Sequence, residues 1–197
     1  MTEKTQRRLD YEWTSYFHGN IVQKWWKQSI ANTIWEWIPY SGNILDIGCG
    51  CSPIIAHYPN AVAIDINEEK LEFIKNKIPS LQIFNMSADR INFKDNTFDN
   101  VLCIEVVEHL KNGEVFSEIN RVLKNNGTAI IATPDYSKPL WYLAELFTAY
   151  KEEHINKYTK KSLDSICKEN KLILEHCKYI AGCDYIGLYK KRQYVLP

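Results

Sequence analysis

The chain has 197 residues, 45% of them hydrophobic, which is enough for one domain with a sizeable core. Lysine plus arginine and aspartate plus glutamate balance at 24 each, so no overall field attracts nucleic acid or an anionic membrane surface. The six cysteines lack the C-x-x-C spacing of zinc sites and no run of about 18 apolar residues occurs, so we expect a soluble, unprocessed cytoplasmic protein with reduced thiols.

Residues 1–40 contain few glycines or prolines and show two helical patterns, the longer one over residues 21–38. The apolar residues of the longer pattern recur at helical spacing and are Val22, Trp25, Trp26, Ile30, Ile34, Trp37 and Ile38. We predict a helical cap that packs on a sheet. A second interpretation stays open for Tyr16, His18 and Trp25, which could instead reach over a bound ligand.

The segment 43–53 combines a short apolar run with two closely spaced glycines, Gly48 and Gly50. It predicts a buried strand that ends with Asp46, then a tight turn whose backbone amides face a ligand, then the start of a helix. A second apolar run reaches Asp65, a carboxylate suited to bind both hydroxyls of a ribose. Together these residues predict a nucleoside site.

Pro53 separates two classes of nucleoside cofactor. A dinucleotide fingerprint has a third glycine at this position, and a proline there removes an N–H donor for a phosphate. Asp46 adds a negative charge that would repel a pyrophosphate and suit an ammonium group. The residues therefore favour an adenosine that carries an amino acid, and an NAD-dependent oxidoreductase is a weaker alternative.

The rest of the chain alternates predicted strands and helices, as in an open α/β sheet. The predicted helices lie at 68–77, 114–124, 139–151 and 159–170, and the predicted strands at 81–84, 98–104, 127–133, 172–179 and 184–190. Asn67 is a suitable N-cap for the first of these helices. Gly182 lies between the last two strands, which we expect to pair as an antiparallel hairpin. Glu105 follows a strand and should therefore lie at the ligand edge of the sheet.

Seven short motifs occur in order along the chain, at 45–50, 87–89, 93–99, 105–110, 118–124, 132–134 and 154–159. Over residues 43–175 the chain resembles the class I S-adenosylmethionine-dependent methyltransferases, in their small-molecule, type 11-like branch. The resemblance implies a Rossmann-like α/β fold with a seven-stranded, mostly parallel sheet of order 3-2-1-4-5-7-6, whose strand 7 is antiparallel. It also implies S-adenosylmethionine as the cofactor.

The resemblance further implies which residues bind the cofactor. They are Asp46, Gly48, Cys49, Gly50, Asp65, Ile66, Ser87, Ala88, Asp89 and Glu105. Ser87 departs from the family pattern, since an acid often approaches the adenine at this position. The departure keeps a second hypothesis open, in which the chain binds the cofactor but acts as a regulatory or scaffold protein without turnover.

His109 and His154 are the candidate catalytic residues. Methyl transfer needs a base only when the acceptor is a hydroxyl or an ammonium, and an unperturbed histidine titrates near the working pH. Both histidines fall on the side of the sheet where the ligand should lie. A structural role for His109 stays an alternative.

Glu105, Glu108 and His109 have the i, i+3, i+4 spacing that would collect them on one face of a helical turn. This spacing resembles the Glu-x-x-Glu-His arrangement of ubiquinone-pathway O-methyltransferases, in which a metal has a role. The same letters also occur in many relatives that have no metal requirement. We therefore predict no metal site.

These interpretations combine into one methyltransferase domain over 1–197, with a helical cap at 1–40, a Rossmann-like core at 41–197 and a lid at 135–158. The lid is rich in apolar residues, including Trp141, Tyr142, Leu143, Leu146, Phe147 and Tyr150. They cover more of a helix than one core-facing stripe requires, which predicts a small apolar acceptor with a hydroxyl or amine, such as a lipid or quinone. Packing of the lid on the cap or on a second subunit is the alternative, and we expect a monomer or homodimer that binds no nucleic acid.

Overall fold

The computed structural model describes residues 10–145 and 154–192, without the side chains of 143–145. Helices in this part of the chain are α1 (Tyr11–Phe17), α2 (Ile21–Trp37), α3 (Glu68–Lys77), α4 (Glu114–Val122), α5 (Pro139–Glu145) and α6 (Lys160–Glu169). The strands are β1 (Ile44–Ile47), β2 (Ala61–Asp65), β3 (Gln82–Asn85), β4 (Phe98–Ile104), β5 (Leu123–Pro134), β6 (Leu172–Ile180) and β7 (Asp184–Lys191), and 3₁₀ turns lie at Pro53–His57 and Val107–His109. None of the described helices combines the length and the apolar character needed to cross a membrane.

The strands form a seven-stranded sheet of order β3-β2-β1-β4-β5-β7-β6, which confirms the predicted order. Neighbouring strands from β3 to β5 run parallel, and β7 pairs antiparallel with both β5 and β6. The strand order reverses between β1 and β4, and ligands of open α/β sheets bind at such a switch point. The carboxyl ends of β1, β2 and β4 therefore position the site.

The central strands are buried on both faces because helices cover both sides of the sheet. On one face, Ile30 and Ile34 of α2 pack in the same apolar cluster as Ile44 of β1. On the other face, Phe116 of α4 packs in a cluster with Leu45, the next residue of β1. The inner face of α2 is thus anchored to the sheet, as predicted for the helical cap.

The segment after Gly50 forms a 3₁₀ turn, Pro53–His57, rather than the predicted start of an α-helix. Ser52 caps this turn by accepting a hydrogen bond from the backbone amide of Ile54 at 3.4 Å. The turn is short because Pro59 disfavours helical backbone at the residue before it.

The predicted lid helix begins where expected, and its described part is α5 (Pro139–Glu145). The other apolar lid residues Leu146, Phe147 and Tyr150 lie outside the described residues, as does the side chain of Leu143. The two described aromatic residues of α5 differ in exposure, since Trp141 is 7% exposed and Tyr142 is 52% exposed. Trp141 therefore forms an inner surface of the lid and Tyr142 an outer one.

The chain returns to the ligand edge of the sheet at residues 154–159. The backbone amides of Ile155 and Asn156 donate hydrogen bonds to the carbonyl oxygen of Glu108 at 2.8 and 2.9 Å. This pairing brings His154 to the segment that follows β4.

Candidate active site

A cavity of about 940 Å³ lies at the carboxyl ends of the central strands. Helices α1 and α2 line one side of it, and the segments after β1, β2 and β4 line the other. Its volume is near the upper end of the range for ligand pockets, so one small ligand would not fill it. The cavity therefore has room for a cofactor and a second molecule.

Most residues predicted for the site line this one cavity. They are Asp46, Gly48, Cys49, Gly50, Asp65, Ile66, Ser87, Ala88, Glu105, His109 and His154. Asp89 is not among the lining residues, and its carboxylate accepts a hydrogen bond from the Ser87 hydroxyl at 2.5 Å. Asp89 thus lies outside the cavity lining and orients the Ser87 hydroxyl.

Gly48 and Gly50 form the turn after β1 with left-handed backbone angles, φ +67° and +51°. A Cβ atom on Gly48 would lie 2.4 Å from a methyl carbon of Val106, so a side chain has no room there. At Gly50 the nearest atom to such a Cβ is the Lys70 ammonium, at 3.6 Å. The backbone of Gly50 is therefore open to a ligand, whereas Gly48 is required for packing.

The carboxylate of Asp65 is held in place by two backbone amides. Gly50 donates to Oδ2 and Asn67 donates to Oδ1, each at 2.8 Å. A carboxylate offers about four lone-pair sites, so each oxygen of Asp65 can still accept a further hydrogen bond. The predicted ribose ligand is thus preorganised and retains the acceptor capacity that a diol requires.

Asp46 is a buried acid beside the glycine turn, and it is 5% exposed. Burial and the neighbouring Asp65 raise the pKa of Asp46 to about 8. This acid therefore holds its proton at a higher pH than an ordinary aspartic acid, and its negative charge is weaker near neutral pH than the sequence indicated. A cation beside it would favour the carboxylate, as the ammonium group of an amino-acid ligand would.

Helix α1 is tied to the cofactor turn by a contact that the sequence did not indicate. Glu12 pairs with the Lys70 ammonium at 3.4 Å and accepts a hydrogen bond from the Cys51 thiol at 2.7 Å. Burial and Glu12 raise the pKa of the Cys51 thiol to about 12, so this thiol is not a nucleophile. Of the three cap residues that could reach over the ligand, Tyr16 and Trp25 line the cavity, and His18 is not among the lining residues.

His154 lies among aromatic rings. Its Nδ1 atom forms a 2.7 Å hydrogen bond with the Tyr136 hydroxyl, and its ring stacks on Trp141 at 5.9 Å between centroids. The ring of His109 meets it edge-on at 4.8 Å. Burial and, after it, His109 lower the pKa of His154 to about 4. His154 is therefore neutral at physiological pH and has a nitrogen lone pair that can accept a proton.

The predicted helical face of Glu105, Glu108 and His109 does not form. Glu105 has a left-handed φ of +57°, which ends the strand and separates it from the 3₁₀ turn Val107–His109. Instead, Glu108, His109 and His154 each place one potential ligand atom within 4.8 Å of the others. Thr133 donates to one oxygen of the fully buried Glu108, whose pKa burial raises to about 8.

A second group of charged residues lies in the same cavity. Of this group, the sequence analysis predicted Glu105 alone. Glu105, Asp184 and Lys27 all line it. Trp26 donates its indole N–H to Oδ2 of Asp184 at 2.7 Å. Asp184 begins β7, and an antiparallel strand beside β5 brings its first residue to the carboxyl end of β5, so the predicted topology contained a signal for this residue.

The strand order, the glycine turn after β1 and the fixed acid at the end of β2 together define a Rossmann-like protein with a site for an adenosine-containing cofactor. The buried acid Asp46 suits a cofactor with a cationic amino-acid end, and S-adenosylmethionine has both parts.

The comparisons with known proteins agree with this class. Residues 45–131 match the family model described as "Methyltransferase domain". An uncharacterized protein of Methanocaldococcus jannaschii is 34% identical over 113 residues, which cover 56% of this chain and 48% of that protein. A ubiquinone biosynthesis O-methyltransferase of Rickettsia conorii is 29% identical over 116 residues, which cover 54% of this chain and 40% of that enzyme. The chain thus spans about half or less of the length of these curated relatives.

A solved structure extends the similarity to nearly the whole fold. A Thermotoga maritima protein, described as an S-adenosylmethionine-dependent methyltransferase and possible histamine N-methyltransferase, aligns with a TM-score of 0.77 at 15% identity. The alignment covers 94% of this chain and 97% of that one, and it supports the shared fold. The matched domain agrees with the resemblance to the class I S-adenosylmethionine-dependent methyltransferases that the motifs indicated, and the aligned structure shows the fold that this resemblance implied.

Proposed function

We propose that this chain transfers a methyl group from S-adenosylmethionine to a small, apolar acceptor that bears a hydroxyl or an amine. One observation carries the proposal: the ribose-type acid Asp65 and the neutral base His154 line a single cavity large enough for two ligands. When bound, the cofactor supplies a methyl group activated by a positively charged sulfur. The protein then needs to bind, orient and desolvate the acceptor.

In this proposal the cofactor is held by residues that the resemblance implied, apart from Glu105, which we assign to the acceptor. Asp65 binds the ribose, the Gly48–Gly50 turn contacts the amino-acid end, and Asp46 balances its ammonium charge. Ile66, Ser87 and Ala88 flank the adenine, with Ser87 held by Asp89. The fixed geometry of Asp65 and the open backbone at Gly50 support these assignments.

His154 is the proposed general base. In the neutral tautomer whose Nδ1–H donates to the Tyr136 hydroxyl, Nε2 is free to accept the proton of an acceptor hydroxyl, and this hydrogen bond together with the stacked Trp141 fixes the ring. Burial and, after it, the neighbouring His109 lower the pKa of His154 and keep the ring neutral. Holding the acceptor beside the methyl donor is the larger effect, since proximity can remove about 7–11 kcal/mol of barrier.

The apolar nature of the acceptor is supported by the cavity wall. Trp25, Trp26, Leu140 and Trp141 all line it. The indole N–H of Trp141 is buried without a hydrogen-bond partner among the described residues, so an acceptor oxygen would satisfy it. The names of the Rickettsia relatives, which act in ubiquinone biosynthesis, also fit an apolar acceptor with a hydroxyl.

The predicted domain division, with a cap at 1–40 and a lid at 135–158, is part of this proposal, as is a cytoplasmic location. All six cysteines are free, which supports a reducing compartment. The proposed partner is a small-molecule acceptor rather than a nucleic acid.

Calorimetry with S-adenosylhomocysteine and with NAD tests the cofactor, and a coupled assay for S-adenosylhomocysteine release over a panel of hydroxyl and amine acceptors tests turnover. We expect binding of S-adenosylhomocysteine alone and release with at least one apolar acceptor. Binding of NAD without S-adenosylhomocysteine would contradict the proposal. Binding without release across the panel would favour the non-catalytic alternative.

A further inference from the structure

We propose that the acceptor carries a protonated amine, and that Glu105 and Asp184 bind this amine as an anchor in the part of the cavity remote from the ribose site. The inference rests on the proposed function, because it names the substrate class of the same cavity. Four strand spacings separate β7 from β2 in the sheet, so Asp184 begins about 19 Å from the strand that ends with Asp65. Asp65 and Asp184 thus serve different ligands.

Two buried oxygen atoms lack a hydrogen-bond donor in this part of the cavity. Asp184 is 2% exposed, and its Oδ2 atom accepts from Trp26 while its Oδ1 atom has no partner among the described residues. Oε1 of Glu105 is likewise buried without a partner there. The two carboxyls can share a hydrogen bond when one of them is protonated, but neither oxygen has a donor when both are ionised. Buried polar atoms are nearly always paired in folded proteins, and both residues line the cavity, so a ligand donor would satisfy the ionised pair.

The two acids share one environment and hold each other partly neutral. Burial and then Asp184 raise the pKa of Glu105 well above its usual range, and burial also raises the pKa of Asp184. Lys27 of α2, Glu108 after β4 and Glu12 of α1 are the other charged groups of this environment. Lys27 supplies one positive charge to this group, and a retained proton offsets the remaining acid of the pair. An ammonium group would replace that proton.

The surrounding residues favour a cation over an anion. The lysines among the described lining residues are Lys27 and Lys70, and Lys70 already pairs with Glu12. Burial opposes the charge on Lys27, but Glu105 and other carboxylates raise its pKa, so its charge is already balanced. An anionic acceptor would face several acids, whereas an ammonium would meet carboxylates and aromatic walls.

Those aromatic walls are tryptophans that line the same cavity as the acid pair. Trp26 donates a hydrogen bond to Asp184, and Trp141 packs with Cys183, the residue that precedes Asp184. Indole faces attract cations, and recognition of ammonium ligands commonly combines aromatic rings with a carboxylate. Because an ammonium has no lone pair, the anchored nitrogen is not the atom that is methylated. Another group of the same acceptor would reach His154.

The test compares matched probes on protein saturated with S-adenosylhomocysteine. The probes are 2-phenylethylamine, its uncharged counterpart 2-phenylethanol and the anion 3-phenylpropanoate, each titrated by calorimetry. We expect the amine to bind about tenfold more tightly than the alcohol, and the anion to bind most weakly. Titration of the amine in two buffers of different ionisation enthalpy should also show proton release.

Asp184→Asn keeps the shape of the side chain and removes its charge. It should reduce the preference for the amine to about threefold or less, with little change in the affinity for the alcohol or for S-adenosylhomocysteine. Glu175→Gln is the matched control, because Glu175 lies on β6 outside the cavity and is 3.9 Å from Lys190. This control should retain the full preference. Thermal melting establishes that each variant is folded, and Glu105→Gln replaces Asp184→Asn if the latter is not.

Equal binding of amine and alcohol by the wild-type protein would overturn the inference while leaving the methyltransferase proposal intact. A preference that survives in the folded Asp184→Asn variant would also overturn it. Failure to bind S-adenosylhomocysteine would instead contradict the proposed function, and the probe comparison on the unliganded protein would then decide whether the amine site exists.

Discussion

Replacing Asp65 by alanine tests the cofactor site most directly. The carboxylate is fixed by the amides of Gly50 and Asn67 at 2.8 Å each, so its remaining lone pairs have a fixed direction. Losing a charge-assisted hydrogen bond costs about 1.5–3 kcal/mol. We therefore expect Asp65→Ala to weaken S-adenosylhomocysteine binding by about tenfold to 150-fold.

The variant also leaves two backbone amides without their acceptor, so the melting temperature is measured alongside affinity. Calorimetric titration of the folded variant gives the dissociation constant, with Asp95→Ala as a control that removes an equal charge from an exposed site paired to Arg121. The control should bind S-adenosylhomocysteine as the wild type does. An unchanged dissociation constant for a folded Asp65→Ala protein would refute the assignment of Asp65 as the ribose ligand.

Four further predictions concern the acceptor side. His154→Ala should lower kcat by about 10²–10⁴-fold while leaving S-adenosylhomocysteine affinity unchanged, as expected for a general base. Because the pKa of His154 is lowered to about 4, the acid limb of kcat/KM in the wild type should lie well below pH 6.5, where an unperturbed histidine would put it. Turnover should persist in excess chelator, since among the described residues Glu108, His109 and His154 offer three ligand atoms, one fewer than a closed tetrahedral site requires. Trp141→Ala should raise KM for the acceptor without changing cofactor affinity, and Trp141→Phe, which keeps the ring and loses the N–H, should have a smaller effect.

Each of these has a contrary outcome. An acid limb near pH 6.5 would contradict the lowered pKa of His154. Unchanged kcat in His154→Ala would remove it as the base. Activity lost with chelator and restored by magnesium or manganese would establish a metal at Glu108, His109 and His154. A lower melting temperature for Trp141→Ala with unchanged acceptor kinetics would assign that residue to packing alone.

The parts of the fold that could be predicted are those encoded by local patterns. The strand at β1 is four consecutive buried residues bounded by a glycine turn, and Asp65 closes the next apolar run, so short segments of sequence carry both signals. The order of the strands followed from the motif resemblance. The bounds of β4 were predicted as observed because its apolar run begins and ends at clear changes in polarity.

The rest of the site depends on contacts between distant segments. Trp26 and Asp184 are 158 residues apart in sequence, and neither carries a motif that indicates the other. The protonation of Asp46 depends on its burial beside Asp65, which no local pattern reveals. Glu105 adopts a left-handed conformation that is uncommon for a non-glycine residue, so the helical spacing from Glu105 to His109 was misleading.

The reversed direction of β7 has a consequence for how this chain can change over evolution. Residues 44–65 encode the turn and the acid of the cofactor half, whereas Asp184 is delivered by the hairpin of β6 and β7 near the other end of the chain. The hairpin bends at Ala181 and Gly182, both with left-handed backbone, and its edge strand β6 pairs with no strand other than β7 in the described sheet. In the proposed function, a substitution at Asp184 would therefore change acceptor binding while residues 44–65 of the cofactor site stay the same.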